Sequence, residues 1–178
     1  AAFGLSLVQV MFAEDIAHWD FMREQTDMPL LVRRDNRKFL RQPDIEGLGR
    51  EDQLYHWHPE KGLVLANRET LKLDGARVAL EGEFDVRLHD GRTVTVEPGC
   101  AVRRRKLDEH YTPEKQQSIT GVHPDVIRLV ARKIAAKRTN IFLGMNACKM
   151  YHGDLIERTM SLVLAASGNW GKKGTGLR

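Results

Sequence analysis

The chain opens on a stretch, Ala1-Ala2-Phe3-Gly4-Leu5-Ser6-Leu7-Val8-Gln9-Val10-Met11-Phe12, whose apolar positions run at helical stride with no N-capping side chain ahead of them. The pattern predicts a helix that starts in mid-element. A second helix is expected between Asp15 and Thr26, where Ile16, Trp19, Phe21 and Met22 supply the apolar positions. Met28-Pro29-Leu30-Leu31-Val32 reads as extended, because proline disfavours helix before it. Arg33 to Glu60 is charged and broken by Pro43, Gly47, Gly49 and Pro59, which predicts irregular surface chain. Tyr55, His56, Trp57 and His58 are the exception and read as a half-buried aromatic strand. Its two histidines share a face, but no third metal ligand lies near them in sequence.

From 62 to 97 the period changes to two. Phe84-Asp85-Val86-Arg87-Leu88 and Arg92-Thr93-Val94-Thr95-Val96 flank His89-Asp90-Gly91. A three-residue loop with Gly91 left-handed pairs Val86 with Val94 and Phe84 with Val96; a two-residue Asp-Gly turn would instead send the valines to the face opposite Phe84 and Val86. The three-residue loop fits better.

The last third reads as helix, helix, strand, loop, helix. Thr112 caps a helix with Pro113 at its first position, ending near Thr120-Gly121. A second helix runs from Pro124 to about Lys137, with Val126, Ile127, Val130, Ala131 and Ile134 on one face. Thr139-Asn140-Ile141-Phe142-Leu143 predicts a buried parallel strand, followed by the loop Gly144 to Gly153. Asp154 then opens a helix whose half from Met160 to Ala166 is apolar nearly all round, so more than one side of it needs cover. Val126, Ile127, Val130, Ile134, Ile141, Leu143, Leu155, Ile156, Val163 and Leu164 are expected to be mostly buried. The closing glycine-rich stretch is expected to run out at Leu177-Arg178 without entering an element.

Composition narrows the function classes. The 178 residues are 42% hydrophobic and 29% charged, a globular rather than disordered profile. The excess of 28 Lys and Arg over 24 Asp and Glu is small. Its longest basic run, Arg103 to Lys106, meets Asp108 and Glu109 at once, so it reads as a solvated helix surface and no nucleic-acid partner is expected. Cys100 and Cys148 are too far apart for a zinc or iron–sulfur motif, and no membrane-spanning stretch is present.

Two loops carry candidate chemistry. A helix–strand–loop–helix order is half of a doubly wound α/β unit, in which ligands bind beyond the carboxyl ends of the strands. The loop there holds Gly144, Met145, Asn146, Lys149, Tyr151 and His152, an amide, an ammonium, a phenol and an imidazole between glycines. The second loop, Gly168-Asn169-Trp170-Gly171-Lys172-Lys173-Gly174-Thr175-Gly176, can expose backbone N–H groups to phosphate, though it is not a Walker motif. Composition alone leaves an ordinary connection and a flexible tail open for the two loops.

Thr120-Gly121-Val122, Gly144-Met145-Asn146, Lys149, Tyr151-His152-Gly153-Asp154-Leu155-Ile156-Glu157-Arg158, Gly168-Asn169, Gly171-Lys172 and Gly174-Thr175-Gly176 together resemble the molybdopterin oxidoreductases of the dimethyl sulfoxide reductase family. Arg23-Glu24-Gln25-Thr26-Asp27, Pro29-Leu30-Leu31-Val32-Arg33, Asp35 and Phe39-Leu40-Arg41 are similar to the branch containing respiratory nitrate reductase, selenate and chlorate reductases, and ethylbenzene dehydrogenase. The resemblance implies a piece of a catalytic (alpha) subunit that uses molybdenum bis(molybdopterin guanine dinucleotide) for two-electron oxygen-atom transfer or hydroxylation. It implies as partners the rest of that subunit and an iron–sulfur electron-transfer subunit, in a periplasmic or membrane-associated complex. The cysteine cluster for an iron–sulfur centre and the protein ligand to the metal are absent from this sequence.

By that resemblance Lys149 and His152 are candidate catalytic residues at the substrate funnel. Gly144, Met145, Asn146, Tyr151, Asn169, Gly171 and Gly174 are candidate cofactor contacts, and no residue is a metal ligand. The expected fold is α/β, a partial doubly wound α/β unit with an inserted antiparallel β-hairpin region. Its segments are 1–53, helical and irregular and cut at its start; 54–111, the β-hairpin insertion; and 112–178, cofactor-facing and cut at its end. Alone, the chain is expected to hold little cofactor and to be inactive. The alternative reading is a small non-enzymatic α/β module whose glycine-rich loops bind a nucleotide or an acidic partner.

Overall fold

The apolar start of the chain does form a helix, and apolar on every side it takes a central place. The computed structural model of the chain describes residues 1–67, 72–73 and 76–178, with Cys148 described by its backbone alone. In chain order the elements begin with helices α1 (Ala2–Ala13) and α2 (Trp19–Gln25), strand β1 (Leu31–Arg33) and helix α3 (Gln42–Glu46). Strands β2 (Tyr55–His58), β3 (Gly62–Leu65), β4 (Phe84–Arg87) and β5 (Thr93–Pro98) follow. Then come helices α4 (Gly99–His110), α5 (Pro113–Thr120) and α6 (Pro124–Ala136), strand β6 (Asn140–Ile141), helices α7 (Met145–Lys149) and α8 (Gly153–Ala166), and strand β7 (Gly176–Leu177). Helices and sheets mix as the α/β class requires. The chain folds as two compact units, one of residues 1–21 with 104–178 and the other of residues 22–103.

In the first unit α1 packs against α5, α6 and α8. Gly4 permits the close approach of α8, because a Cβ there would lie 2.5 Å from Thr159 Cγ2. Thr112 Oγ1 accepts from the Lys115 N–H and Gly121 ends α5 in the left-handed region, as the sequence predicts. Helix α6 turns Ile127 and Ala131 inward, with Val130 and Ile134 half-buried. Val126 is a correction: it is 47% exposed, because one residue before Ile127 on a helix it falls off the buried stripe. Leu155 is another, at 42% exposed. It lies one turn ahead of Thr159, which meets Gly4 near the start of α1, so α1 does not reach it. Val163, Leu164 and Ala166 are fully buried, which gives the apolar half of α8 its cover.

Strands β6 and β7 pair in parallel, Asn140 with Gly176 and Ile141 with Leu177, extended by Leu143 N–H donating to the Arg178 carbonyl at 2.7 Å. The glycine-rich stretch therefore enters an element after all, where the sequence predicts a free tail. The expected buried strand over 139–143 shrinks to two half-buried residues, and Phe142 is 75% exposed. The stretch read as a loop from Gly144 holds the single turn of α7.

In the second unit β1, β5 and β4 form an antiparallel sheet in that order. Phe84 pairs with Val96 and Val86 with Val94, the register of the three-residue loop, with Gly91 at φ 87°. Strands β2 and β3 form a separate hairpin. Leu31, Leu40, Tyr55, Val86, Leu88, Val94 and Val96 make the core, on which Trp57 stacks over Phe84 at 4.1 Å between ring centroids. Of the β structure expected over 62–97, residues 68–71 and 74–75 lie outside the described residues.

Helix α3 falls inside the stretch read as irregular. Its breakers are its caps: Pro43 sits in the first turn, Asp44 bonds back to the Arg41 N–H, and Gly47 closes the helix at φ 73°. Arg33, with its side chain 8% exposed, binds Asp35 and Asp44 and ties this turn to β1.

Candidate functional site

Two loops at the ends of α8 hold the candidate residues. The first leaves the carboxyl end of β6. Gly144 is the N-cap of α7, Met145 and Asn146 stand in its first turn, and Lys149 ends it. Tyr151 and His152 then lead into α8. All are exposed, Met145 to 79% and Tyr151 to 90%. Among the described residues, no hydrogen bond or ion pair engages the side chains of Asn146, Lys149, Tyr151 or His152; the last two rings lie against each other at 3.9 Å between centroids.

His152 takes φ 56° and ψ 36°, left-handed for a residue with a Cβ, which sets where its imidazole leaves the chain. Lys149 lies beside the start of α8, whose dipole is positive there, so the loop presents cation and donors together. Asp154 in the first turn offsets part of that field. The arrangement suits an oxygen-rich or anionic ligand.

The second loop follows α8. Asn169 is 4% exposed and its amide is committed to the protein. Its Oδ1 accepts from the Thr139 N–H at 3.0 Å, and its Nδ2 donates to the carbonyls of Ile134 at 3.1 Å and Lys137 at 3.3 Å and to Ser167 Oγ at 2.9 Å. The side chain thus joins the end of α6, the approach to β6 and the end of α8. Sequence reading missed this duty; an asparagine just past a helix end beside a glycine was the available signal. Gly171 and Gly174 are exposed at φ 66° and 83°, and a Cβ on either would meet nothing within 4 Å. Their backbone N–H groups border Lys172 and Lys173.

The structure brings Gly144, Met145, Asn146, Lys149, Tyr151 and His152 together at the N-terminal end of α8. Asn169, Gly171 and Gly174 follow the other end of α8, in the stretch that runs on to pair β7 with β6. Among the described residues, no three of His, Cys, Asp and Glu converge to hold a metal ion, and no helix is long and apolar enough to cross a membrane. The donor set fits hydrogen bonds to phosphate and pterin oxygens.

No protein-family model matches the chain. It is 37% identical to the chlorate reductase alpha subunit of Ideonella dechloratans and 34% identical to the dimethylsulfide dehydrogenase alpha subunit of Rhodovulum sulfidophilum, over 96% of its length in both. It is 31% identical to the perchlorate reductase alpha subunit of Dechloromonas aromatica (strain RCB) over 99% of its length. The chain spans about a fifth of the length of these relatives: 19% of the first two and 22% of the third. Matched along almost all of its residues, the chain belongs to the dimethyl sulfoxide reductase family of molybdopterin oxidoreductases, as the counterpart of one segment of their alpha subunits.

Proposed function

We propose that the chain serves in the catalytic subunit of an enzyme that uses molybdenum bis(molybdopterin guanine dinucleotide) for two-electron oxygen-atom transfer or hydroxylation. The observation that carries this reading is the near-complete match to alpha subunits named as chlorate, perchlorate and nitrate reductases and as dimethylsulfide dehydrogenase. Oxyanions and sulfides can each lose or gain one oxygen atom with two electrons. Bound in the enzyme, the molybdenum group supplies that redox chemistry.

The residues of this chain bind and orient. Lys149 places an ammonium where negative charge on an oxyanion or alkoxide is stabilised, and His152 donates a hydrogen bond at a substrate oxygen. Asn146 and Tyr151 orient pterin or substrate oxygens, while Gly144 and Met145 shape the wall beside them. Gly171 and Gly174 offer backbone N–H groups to a phosphate. Asn169 serves by holding that loop in place. Partners in this reading are the rest of the catalytic subunit and an iron–sulfur electron-transfer subunit, in a periplasmic or membrane-associated complex.

Elemental and nucleotide analysis of the purified enzyme tests the proposal. Molybdenum together with guanine nucleotide is expected; an active enzyme lacking both would overturn it.

A further inference from the structure

Charge is unevenly spread over the unit of residues 1–21 and 104–178. Residues 126–153 and 158–178, which supply nearly all of α6, the second half of α8 and the glycine-rich stretch, contain no Asp or Glu. Arg128 and Arg132 on α6 pair with Glu114 and Glu14 from outside these stretches. Lys137, Arg138, Lys172 and Lys173 are exposed, and among the described residues no ion pair or hydrogen bond engages their side chains.

Backbone contacts gather these cations at one end of the unit. Asn169 Nδ2 donates to the Lys137 carbonyl at 3.3 Å. The Lys172 carbonyl accepts from the Thr175 N–H at 3.1 Å, and the Thr175 carbonyl accepts from Asn140 Nδ2 at 3.4 Å, so the loop folds back onto the start of β6, next to Arg138 in the chain. The segment that crosses the end of α8, where the His18 N–H donates to the Ala166 carbonyl at 2.7 Å, carries Asp15 and Asp20. Asp15 already accepts from Trp19 Nε1, and two carboxylates leave four cations in excess.

The backbone adds donors. Gly171 at φ 66° and Gly174 at φ 83° turn the chain through the left-handed region, with open space where a Cβ would stand. Among the described residues the N–H groups of Gly171, Lys172, Lys173 and Gly174 meet no acceptor. Successive free N–H groups beside unpaired cations have the chemistry of a phosphate nest. An acidic protein surface would use the side chains alone, whereas a compact anion lies on backbone that glycine leaves bare. Resting on the proposed function, we infer that Lys137 and Arg138, at the end of α6, join Lys172, Lys173 and these N–H groups to bind the diphosphate group of a nucleotide.

Calorimetric titration of the cofactor-free protein with GDP tests this, with GMP as the comparator that lacks one phosphate. GDP is expected to bind saturably and GMP about tenfold more weakly. Lys137→Gln/Arg138→Gln, at exposed positions, is expected to keep the fold and weaken GDP about fivefold. Lys38→Gln/Arg87→Gln removes the same charge from residues 22–103 and is expected to leave GDP affinity within about twofold. Absence of saturable heat with GDP would overturn the inference. So would GMP binding as tightly, parental GDP affinity in the folded Lys137→Gln/Arg138→Gln protein, an equal loss in the Lys38→Gln/Arg87→Gln protein, or tetraglutamate binding more tightly than GDP. Molybdenum and guanine nucleotide in the purified enzyme without GDP binding here would sink this inference alone. GDP binding that depends on Lys137 and Arg138, with neither component in the active enzyme, would sink the proposed function alone.

Discussion

Asn169 accepts the backbone N–H of Thr139 on its side-chain oxygen at 3.0 Å, across 30 residues of sequence. With its other bonds to Ile134, Lys137 and Ser167, this one buried amide fixes where α6 stops, where β6 begins and where the glycine loop departs.

Asn169→Ala is therefore expected to strand buried N–H and C=O groups and cost about 3 kcal/mol of unfolding free energy. Asn169→Asp keeps an acceptor for Thr139 but faces a carboxylate to two carbonyls, so it also destabilises. Urea unfolding measures both. A loss within error for either variant would show that the contacts carry no weight.

Gly4→Ala places a methyl 2.5 Å from Thr159 Cγ2 in the α1–α8 contact. Overpacking of this kind costs about 1–3 kcal/mol, enough to exceed the roughly 1 kcal/mol that alanine gains over glycine in a helix. Thr159→Ser removes the obstructing methyl and keeps the hydroxyl. The Gly4→Ala/Thr159→Ser pair is expected to recover most of the loss in a double-mutant cycle, and an additive cycle would rule out the clash.

Two carboxylates give the fold an acid limit. A hydrogen bond from Arg132 chiefly holds Glu14 below its ordinary 4.5, and one from Arg33 holds Asp35 below 3.8. A lowered folded-state pKa contributes stability that is complete above the unfolded value and is lost as pH falls through the folded one. Unfolding free energy should thus decline below about pH 4.5. Arg132→Gln should make a small difference at pH 7, smaller in high salt and absent well below pH 4. A pH-independent effect would separate Arg132 from Glu14.

What the sequence disclosed was local. The Phe84–Val96 hairpin register followed from a period of two around Gly91, and α5 and α6 followed from Thr112, Pro113 and Pro124 at their starts. Helix α3 escaped because its caps, Pro43 and Gly47, are also loop formers. Strand β7 escaped because its partner, Asn140, lies far away in sequence and no period exists in two residues. The exposure of Leu155 depends on where α1 lies, which no helical stripe encodes. At the candidate site the exposed donors Lys149 and His152 were legible as residue types. The pairing of the end of the glycine-rich stretch with β6, and the commitment of Asn169 to backbone, are tertiary facts.

In the proposed function the loop from Gly144 to His152 faces the reacting substrate in a molybdenum enzyme. Turnover per bound molybdenum measures it most directly, in the enzyme carrying Lys149→Ala or His152→Ala, with whichever of chlorate, nitrate or dimethylsulfide the parent converts. Turnover is expected to fall about tenfold or more in each variant while molybdenum content stays at the parental level. Parental turnover per molybdenum in both variants would contradict the account.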